Sequence, residues 1–430
     1  METLPLELLD QIITNVAIFD REDGLCNLRL VNKQFNNLTT PKTFASISLW
    51  LGSKSLRKLA ELSKHRGIVQ YVKAIRFSPL QFHTPHDARQ SSSLKYHELE
   101  KQVERGEIEP SQLLQYVDDD TQHGRFLKAQ ELLYTSSAVN RVLKAAFQRL
   151  DMVRTIDIVL DCRITGSNEL TTTFNMLDCN RYRWDQDNPL PFLFEALDAL
   201  PSPLSTFRFR YDNDTTSNHQ TKYLKRSRKK VAYEASYLGT RMLALYTKKI
   251  DWTRLEDLEL HYSERAQHDY QNHEDGFDQY LAATADIFRK SSRLKSLRLQ
   301  VPSNALASDL WNSHAFNRLM GEIPLSRLTS LALLDLSIWI VDLLTKLIKE
   351  RTFTPRTIYL ECFDEAAYWA SFLEAQRRIQ WNDLKSFRMC FFSGESWRCC
   401  YDVTSYVRMQ TEENPLDPGI NDDGDGIADS

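Results

Sequence analysis

The sequence predicts an α/β protein: a small helical module first, then a long body of parallel strands alternating with helices. Three observations carry this expectation. Two apolar seams at helical spacing lie within the first 50 residues. From Val153 onward a six-residue block with apolar first, fourth and sixth positions occurs seven times. The intervals between blocks are long enough to hold a helix, which strands running in the same direction require.

The first seam starts at Leu4-Pro5-Leu6-Glu7-Leu8-Leu9 and continues through Ile12, Ile13 and Val16. Pro5 suits a first helical turn, where its missing N–H costs nothing, and Glu7 favours the positive dipole end. Leu4, Leu8 and Ile12 share one stripe, and Leu9, Ile13 and Val16 extend it to about half the circumference. A helix packed on one side needs only about a 100° stripe. The second seam, Leu25, Leu28, Val31, Phe35 and Leu38, is expected to end at Thr39, Thr40 and Pro41. So few residues cannot bury that much apolar surface among themselves, and the surplus predicts a docking surface.

These residues resemble a known family. LPLELLDQIITNV, followed by LCNLRLVNKQFNNLTTPKTF, is similar to an F-box of the form common in fungal proteins, over about residues 3 to 50. The resemblance implies a helical module that inserts between helices of the adaptor subunit of SCF-type cullin–RING ubiquitin ligases. It places Leu4, Pro5, Leu8, Ile12, Leu25, Leu28, Val31 and Phe35 in the adaptor-binding surface and its supporting core. The stretch Ala17 to Gly24, expected as a linker, is charged and lacks the proline often found there.

The recurring block reads Val-Arg-Thr-Ile-Asp-Ile at 153, Leu-Ser-Thr-Phe-Arg-Phe at 204 and Leu-Glu-Asp-Leu-Glu-Leu at 255. It continues as Leu-Lys-Ser-Leu-Arg-Leu at 294, Leu-Thr-Ser-Leu-Ala-Leu at 328, Pro-Arg-Thr-Ile-Tyr-Leu at 355 and Leu-Lys-Ser-Phe-Arg-Met at 384. A weaker forerunner begins at Val72. Apolar triplets alone arise often by chance, so the third position decides: it is Thr, Thr, Asp, Ser, Ser, Thr and Ser. The last positions alternate as a short strand does. Val139, Val142, Leu143, Ala146, Phe147 and Leu150 form a helical pattern before the first strong block. Ile287 precedes the block at 294, and Ile340, Leu343, Leu344 and Leu347 precede that at 355.

The block spacings of 51, 51, 39, 34, 27 and 29 residues shrink towards the leucine-rich-repeat range. The blocks resemble irregular leucine-rich repeats, an arrangement frequent behind an F-box, although the usual Asn or Cys after each block is absent. The expected fold is therefore α/β: a small N-terminal helical F-box at 1–50, then an irregular leucine-rich-repeat-like solenoid with parallel strands at 51–408. An irregular α/β body with fewer stacked repeats is the alternative. A polar insertion is expected at about 80–125 and an acidic disordered tail at 409–430. In such a solenoid the fifth block positions face outward with their neighbours. Asp157, Arg208, Arg210, Glu259, His261, Arg298, Tyr359 and Arg388 are thus the candidate target-binding residues; Arg and Tyr often carry interface energy.

Lys plus Arg total 54 and Asp plus Glu 58, which argues against general attraction to nucleic acid or anionic membrane. The seven cysteines form no C-x-x-C, so ordinary reduced thiols are expected, in the cytoplasm or nucleus. No apolar run is long enough for a membrane span. The basic run Lys225 to Lys230 is expected to be a solvated loop, with nuclear import as the alternative. His83 and His86 lack a nearby Cys for zinc. Asn421, Asp423, Asp425 and Gly426 imitate half of a calcium loop but lack its closing acid.

No catalytic residue, metal or cofactor is expected, and enzyme motifs are missing. The expected function is a non-catalytic substrate-recognition subunit of an SCF-type ligase. Its partners would be the adaptor, through it the cullin, and a target protein of unknown identity. The alternative is a repeat-based interaction scaffold without a ubiquitin link. Burial of Leu8 and Ile12 separates the two: exposed side chains favour docking, covered ones a cap.

Overall fold

In the computed structural model the described residues are 6–19, 21–79, 97–98, 100–107, 109, 111, 125, 128–135, 137–159, 189–210, 250–261, 274–300, 319, 321–336, 344–345, 355–362, 369–379, 381, 383–393 and 397–416. Two compact units emerge, one ending at Leu204 and the other containing Ser205–Arg210 and the described residues from 250 onward. Leu4, Pro5, the run 225–230, His83, His86 and the tail from 417 lie outside the described residues, as does most of the expected insertion.

The first unit opens with α1 (Leu6–Phe19), α2 (Arg21–Arg29) and α3 (Lys33–Thr43). Two expectations are corrected here. Ala17 to Gly24 is mostly helical, because α1 runs to Phe19 and α2 starts at Arg21. The second seam is divided between two helices, α2 ending at Arg29 and α3 starting at Lys33, and α3 does not stop at Pro41 but continues to Thr43. Proline removes one backbone donor, the one that would reach Asn37 O, and the helix continues around it. Thr39 Oγ1 donates to Phe35 O (2.7 Å), Thr40 Oγ1 to Asn36 O (2.6 Å) and Thr43 Oγ1 to Thr39 O (3.0 Å). At the other end, Asn32 caps the helix by accepting from Phe35 N at 2.9 Å. Lys42 Nζ clasps α1 through Asp10 Oδ1 (2.7 Å) and Thr14 Oγ1 (3.2 Å).

A strand, β1 (Ser46–Trp50), begins inside the stretch expected to be helical and pairs in parallel with β2 (Ala74–Ser78). β2 pairs in parallel with β3 (Thr155–Val159). Between β1 and β2 comes α4 (Ser53–Leu62), whose Leu56 and Leu59 are buried. It packs on α5 (Ala138–Phe147), which also meets α6 (Leu190–Leu197). The helical pattern at Val139, Leu143, Ala146 and Phe147 is the buried face of α5.

The second unit has β4 (Thr206–Arg210), β5 (Asp257–Leu260), β6 (Ser296–Gln300), β7 (Ser330–Leu336), β8 (Thr357–Cys362) and β9 (Ser386–Ser393) in sequence order, each parallel to its predecessor. Every recurring block, the forerunner at Val72 included, is a strand. The blocks align position for position: Thr206, Asp257, Ser296, Ser330, Thr357 and Ser386 stand side by side.

The strands also begin alike. Lys295 and Ser296 N–H both donate to Glu256 O at 2.9 Å; Thr329 and Ser330 do the same to Lys295 O, and Arg356 and Thr357 to Thr329 O. This shared carbonyl fixes the register, so a slip would turn each apolar residue to the wrong face. Phe207, Leu258, Leu297, Leu331, Ile358 and Phe387 are all buried in one layer. α7 (Glu274–Lys290) and α8 (Ala370–Arg377) lie between strands in sequence, with Ile287, Phe288, Phe372 and Leu373 buried. No helix among the described residues is long and apolar enough to cross a membrane.

The expectation of parallel strands throughout is corrected at the end of the unit, where β10 (Trp397–Asp402) runs antiparallel to β9. That hairpin also corrects the expectation of reduced thiols. It sets Cys390 opposite Cys400, 4.1 Å apart at Cα, and the two form a disulfide. Among the described residues, Cys26 is an exposed thiol outside any disulfide. The sequence separation of 10 makes a short loop. Closing one of that size stabilises by about 3 kcal/mol through the unfolded chain. Cys400→Ser is therefore expected to lower unfolding stability by about that amount without reductant, and by nothing once wild type is also reduced. Paired urea titrations with and without dithiothreitol check this.

Candidate functional sites: an apolar helical module and a charged strand face

The first candidate site lies on the three helices. Leu9 and Ile13 of α1 are 2% and 1% exposed and Leu25 of α2 is buried, so one side of α1 closes the module's own core. Leu8 and Ile12, one turn apart on the next stripe, are 47% and 37% exposed. Val31, in the turn between α2 and α3, is 63% exposed, while Leu28 and Phe35 are half-buried. Of the eight expected residues Leu4 and Pro5 lie outside the described residues, and the other six divide: Leu25 supports the core, Leu28 and Phe35 are intermediate, and Leu8, Ile12 and Val31 face solvent. The sequence pattern missed Leu30, 84% exposed beside Val31. It falls off the apolar seam, so periodicity assigned it no face. Large aliphatic side chains exposed together on a small module are a signature of an interaction surface.

The second candidate site lies on the outward face of the second unit's strands. Alternation turns Arg208, Glu259, Arg298, Ala332, Tyr359 and Arg388 to one side, in register across six strands. Glu259 is the hub. Its Oε1 accepts from His261 Nε2 at 2.9 Å and meets Arg298 Nε at 3.2 Å. Its Oε2 is 3.9 Å from both Arg208 Nε and Arg210 Nε. Arg208 Nη2 donates to Asp257 Oδ2 at 2.5 Å. The Arg298 guanidinium lies 5.6 Å from the Tyr359 ring centroid, across the small Ala332, and Tyr359 Oη donates to Glu361 Oε2 at 3.2 Å.

Five of the eight expected face residues, Arg208, Arg210, Glu259, His261 and Arg298, therefore form one network, which Tyr359 joins through Arg298. Arg388 is exposed and stands beside Tyr359. His261 is buried and works from beneath. Asp157 belongs to the first unit, where it is buried and meets Arg76 Nε at 3.4 Å. Asp257 was missed because the third block position reads as a small hydroxyl site. Its acid in a row of Ser and Thr is the signal that marked it.

Burial holds His261 below its ordinary pKa, helped by the Arg298 and Arg210 charges and opposed by Glu259, so the ring is neutral and donates from Nε2. Burial alone would raise Glu259, but the hydrogen bond from His261 and the Arg298 and Arg210 charges outweigh it and hold the carboxyl low. Both shifts have the same sign: the unfolded chain takes up protons first as pH falls. Stability should be full above about pH 6.5, the unfolded histidine value, and decline below it, with the Glu259 loss adding below about pH 4.3. A melting series from about pH 8 to about pH 5 should show this, and His261→Gln should flatten it. An unchanged slope in His261→Gln would remove His261 as its source.

Among the described residues, no three His, Cys, Asp or Glu side chains come together as a metal site needs. In comparisons with known proteins, no family model matches this chain, and no curated protein matches it at a significant level.

Proposed function

We propose that this chain is a substrate-recognition subunit of an SCF-type cullin–RING ubiquitin ligase. Its N-terminal helices act as an F-box that docks on the adaptor, and its strands form a leucine-rich-repeat-like solenoid that holds a target protein. The observation that carries the reading is the exposure of Leu8 and Ile12 above a module core already closed by Leu9, Ile13 and Leu25. A helical cap would cover those two side chains; an F-box leaves them for its partner.

The mechanism is proximity. One end of the chain grips the ligase, the other keeps the target near the ubiquitin-loaded enzyme, and the target's lysines gain effective concentration. No residue here acts as acid, base or nucleophile. The test is capture of the SCF adaptor by this chain, comparing wild type with a Leu8→Asp, Ile12→Asp variant shown to be folded. Capture lost in the folded variant supports the reading. No capture by folded wild type sinks it and leaves an interaction scaffold.

A further inference from the structure

We infer that the outer edge of β10 is a pairing surface for a second copy of this chain, which adds its own β10 in antiparallel register about a two-fold axis at Cys400. This goes beyond the ligase reading and does not depend on it.

The backbone carries the argument. β10 is the last strand of its sheet and pairs with β9 alone. Just past the strand, Val403 N–H donates to Phe387 O at 2.9 Å, which continues the register of the pair. In an antiparallel ladder such bonded positions alternate with unbonded ones. Counting back from Val403, Tyr401, Cys399 and Trp397 turn their N–H and C=O groups towards β9. Asp402, Cys400 and Arg398 turn theirs away. The Cα atoms of Cys390 and Cys400 are 4.1 Å apart, which agrees, because unbonded pairs are the closer ones, at about 4.5 Å against about 5.5 Å. The N–H and C=O groups of Arg398, Cys400 and Asp402 therefore point off the edge, where no backbone partner meets them among the described residues.

Edge strands are usually blunted by Lys, Pro, a bulge or a covering segment. β10 reads Trp-Arg-Cys-Cys-Tyr-Asp, with neither Lys nor Pro, and its register with β9 runs unbroken through six pairs. The Cys390–Cys400 disulfide ties its middle to β9. The edge is thus ordered before anything binds, which lowers the cost of association.

The strand's own sequence selects the occupant. An incoming antiparallel strand must present outward-turned backbone groups at the positions facing Arg398, Cys400 and Asp402. A second β10 does so at all of them only when Cys400 faces Cys400. Arg398 of each copy then stands opposite Asp402 of the other. Opposite charges directly across an antiparallel pair stabilise it, and like charges destabilise it. Asp402 is exposed, and both its contacts, from Thr404 N (3.0 Å) and Thr404 Oγ1 (2.5 Å), use Oδ1. Its Oδ2 stays open among the described residues. The pairing uses the same edge on both copies and closes on itself, so its product is a dimer. Because the axis is perpendicular to the sheet, both outward strand faces lie on the same side.

Sedimentation velocity on the full chain over a wide concentration range tests this. Wild type should show a reversible monomer–dimer equilibrium. Arg398→Asp and Asp402→Arg, each alone, set like charges opposite each other and should weaken the dimer about tenfold or more. An equimolar mixture of the two variants restores opposite charges at both positions and should dimerise like wild type. Arg398→Lys, which keeps the charge, should also pair. Circular dichroism checks that each variant is folded. Asp402→Arg removes the contacts to Thr404; should it not fold, Arg398→Asp against Arg398→Lys carries the test alone. A monomeric wild type, including one whose edge is taken by another segment of the chain, overturns the inference. So does a dimer indifferent to Arg398→Asp, or a mixture of folded variants that pairs no better than its components.

Discussion

On the proposed F-box reading, Leu8→Asp with Ile12→Asp is expected to weaken adaptor binding by about a hundredfold or more while lowering the free chain's melting temperature by only a few degrees. The two expectations come from one fact, the exposure of both side chains in the free molecule. Exposed substitutions away from packed features usually change stability by about 0.5 kcal/mol or less. Aspartate's weaker helix propensity adds up to about 0.7 kcal/mol per position. In a docked complex the balance reverses. Burying a Leu or Ile contributes roughly 1.5–3 kcal/mol, so losing two removes at least about 3 kcal/mol before the cost of desolvating two carboxylates. Each 1.4 kcal/mol is about tenfold in affinity. Leu9→Asp and Ile13→Asp are the matched controls. Those side chains are buried one position further round, so the same chemistry there should unfold the module. If the exposed pair destabilised the free chain as much as the buried pair, the docking assignment would fail.

Phe207→Ala should cost the second unit about 3–5 kcal/mol, the range for removing a buried aromatic ring from a packed core. Phe207 has no exposed surface and meets Trp252 edge-to-face, with ring centroids 5.2 Å apart at 88°. It sits on β4 in the buried layer with Leu258 and Leu297. That loss is a large share of the 5–15 kcal/mol that usually holds a domain together. Phe207→Leu, which keeps most of the volume, should lose far less. Arg208→Ala, one residue on but facing outward, should lose less than Phe207→Ala because its guanidinium is partly hydrated. Urea titration of the three variants checks the order. A Phe207→Ala cost near that of Arg208→Ala would mean that the alternation in or out does not describe β4.

The opposing behaviour of Phe207 and Arg208 shows which features were legible in the sequence. A strand turns successive side chains to opposite faces, so the block's own alternation assigned Phe207 inward and Arg208 outward without coordinates. The constant third position then marked the register, because parallel strands begun from one repeated backbone pattern must align there. The same logic failed where the chain leaves the repeat. β10 reverses direction, so neither that strand nor the Cys390–Cys400 pairing could be read from spacing, whereas β1 carries the block pattern in Phe44-Ala45-Ser46-Ile47-Ser48-Leu49. The extension of α3 past Pro41 was hidden too, because a proline removes a single intrahelical hydrogen bond and the residue alone does not say whether the rest of the helix holds.

By itself, then, the sequence determined periodicity: which residues alternate, which stripes are apolar, and where strands recur. Only the tertiary structure decided depth. Leu8 and Leu9 are neighbours of equal hydrophobicity, yet one is exposed and the other buried, because burial depends on which stripe of α1 meets α2 and α3. Likewise Glu259 and Arg298 are equally charged in the sequence, but the shorter acid lies low in the network and the longer base reaches solvent. Periodicity is a local property of the backbone and can be read along the chain. Depth is set by residues far apart in sequence that meet only when the chain has folded.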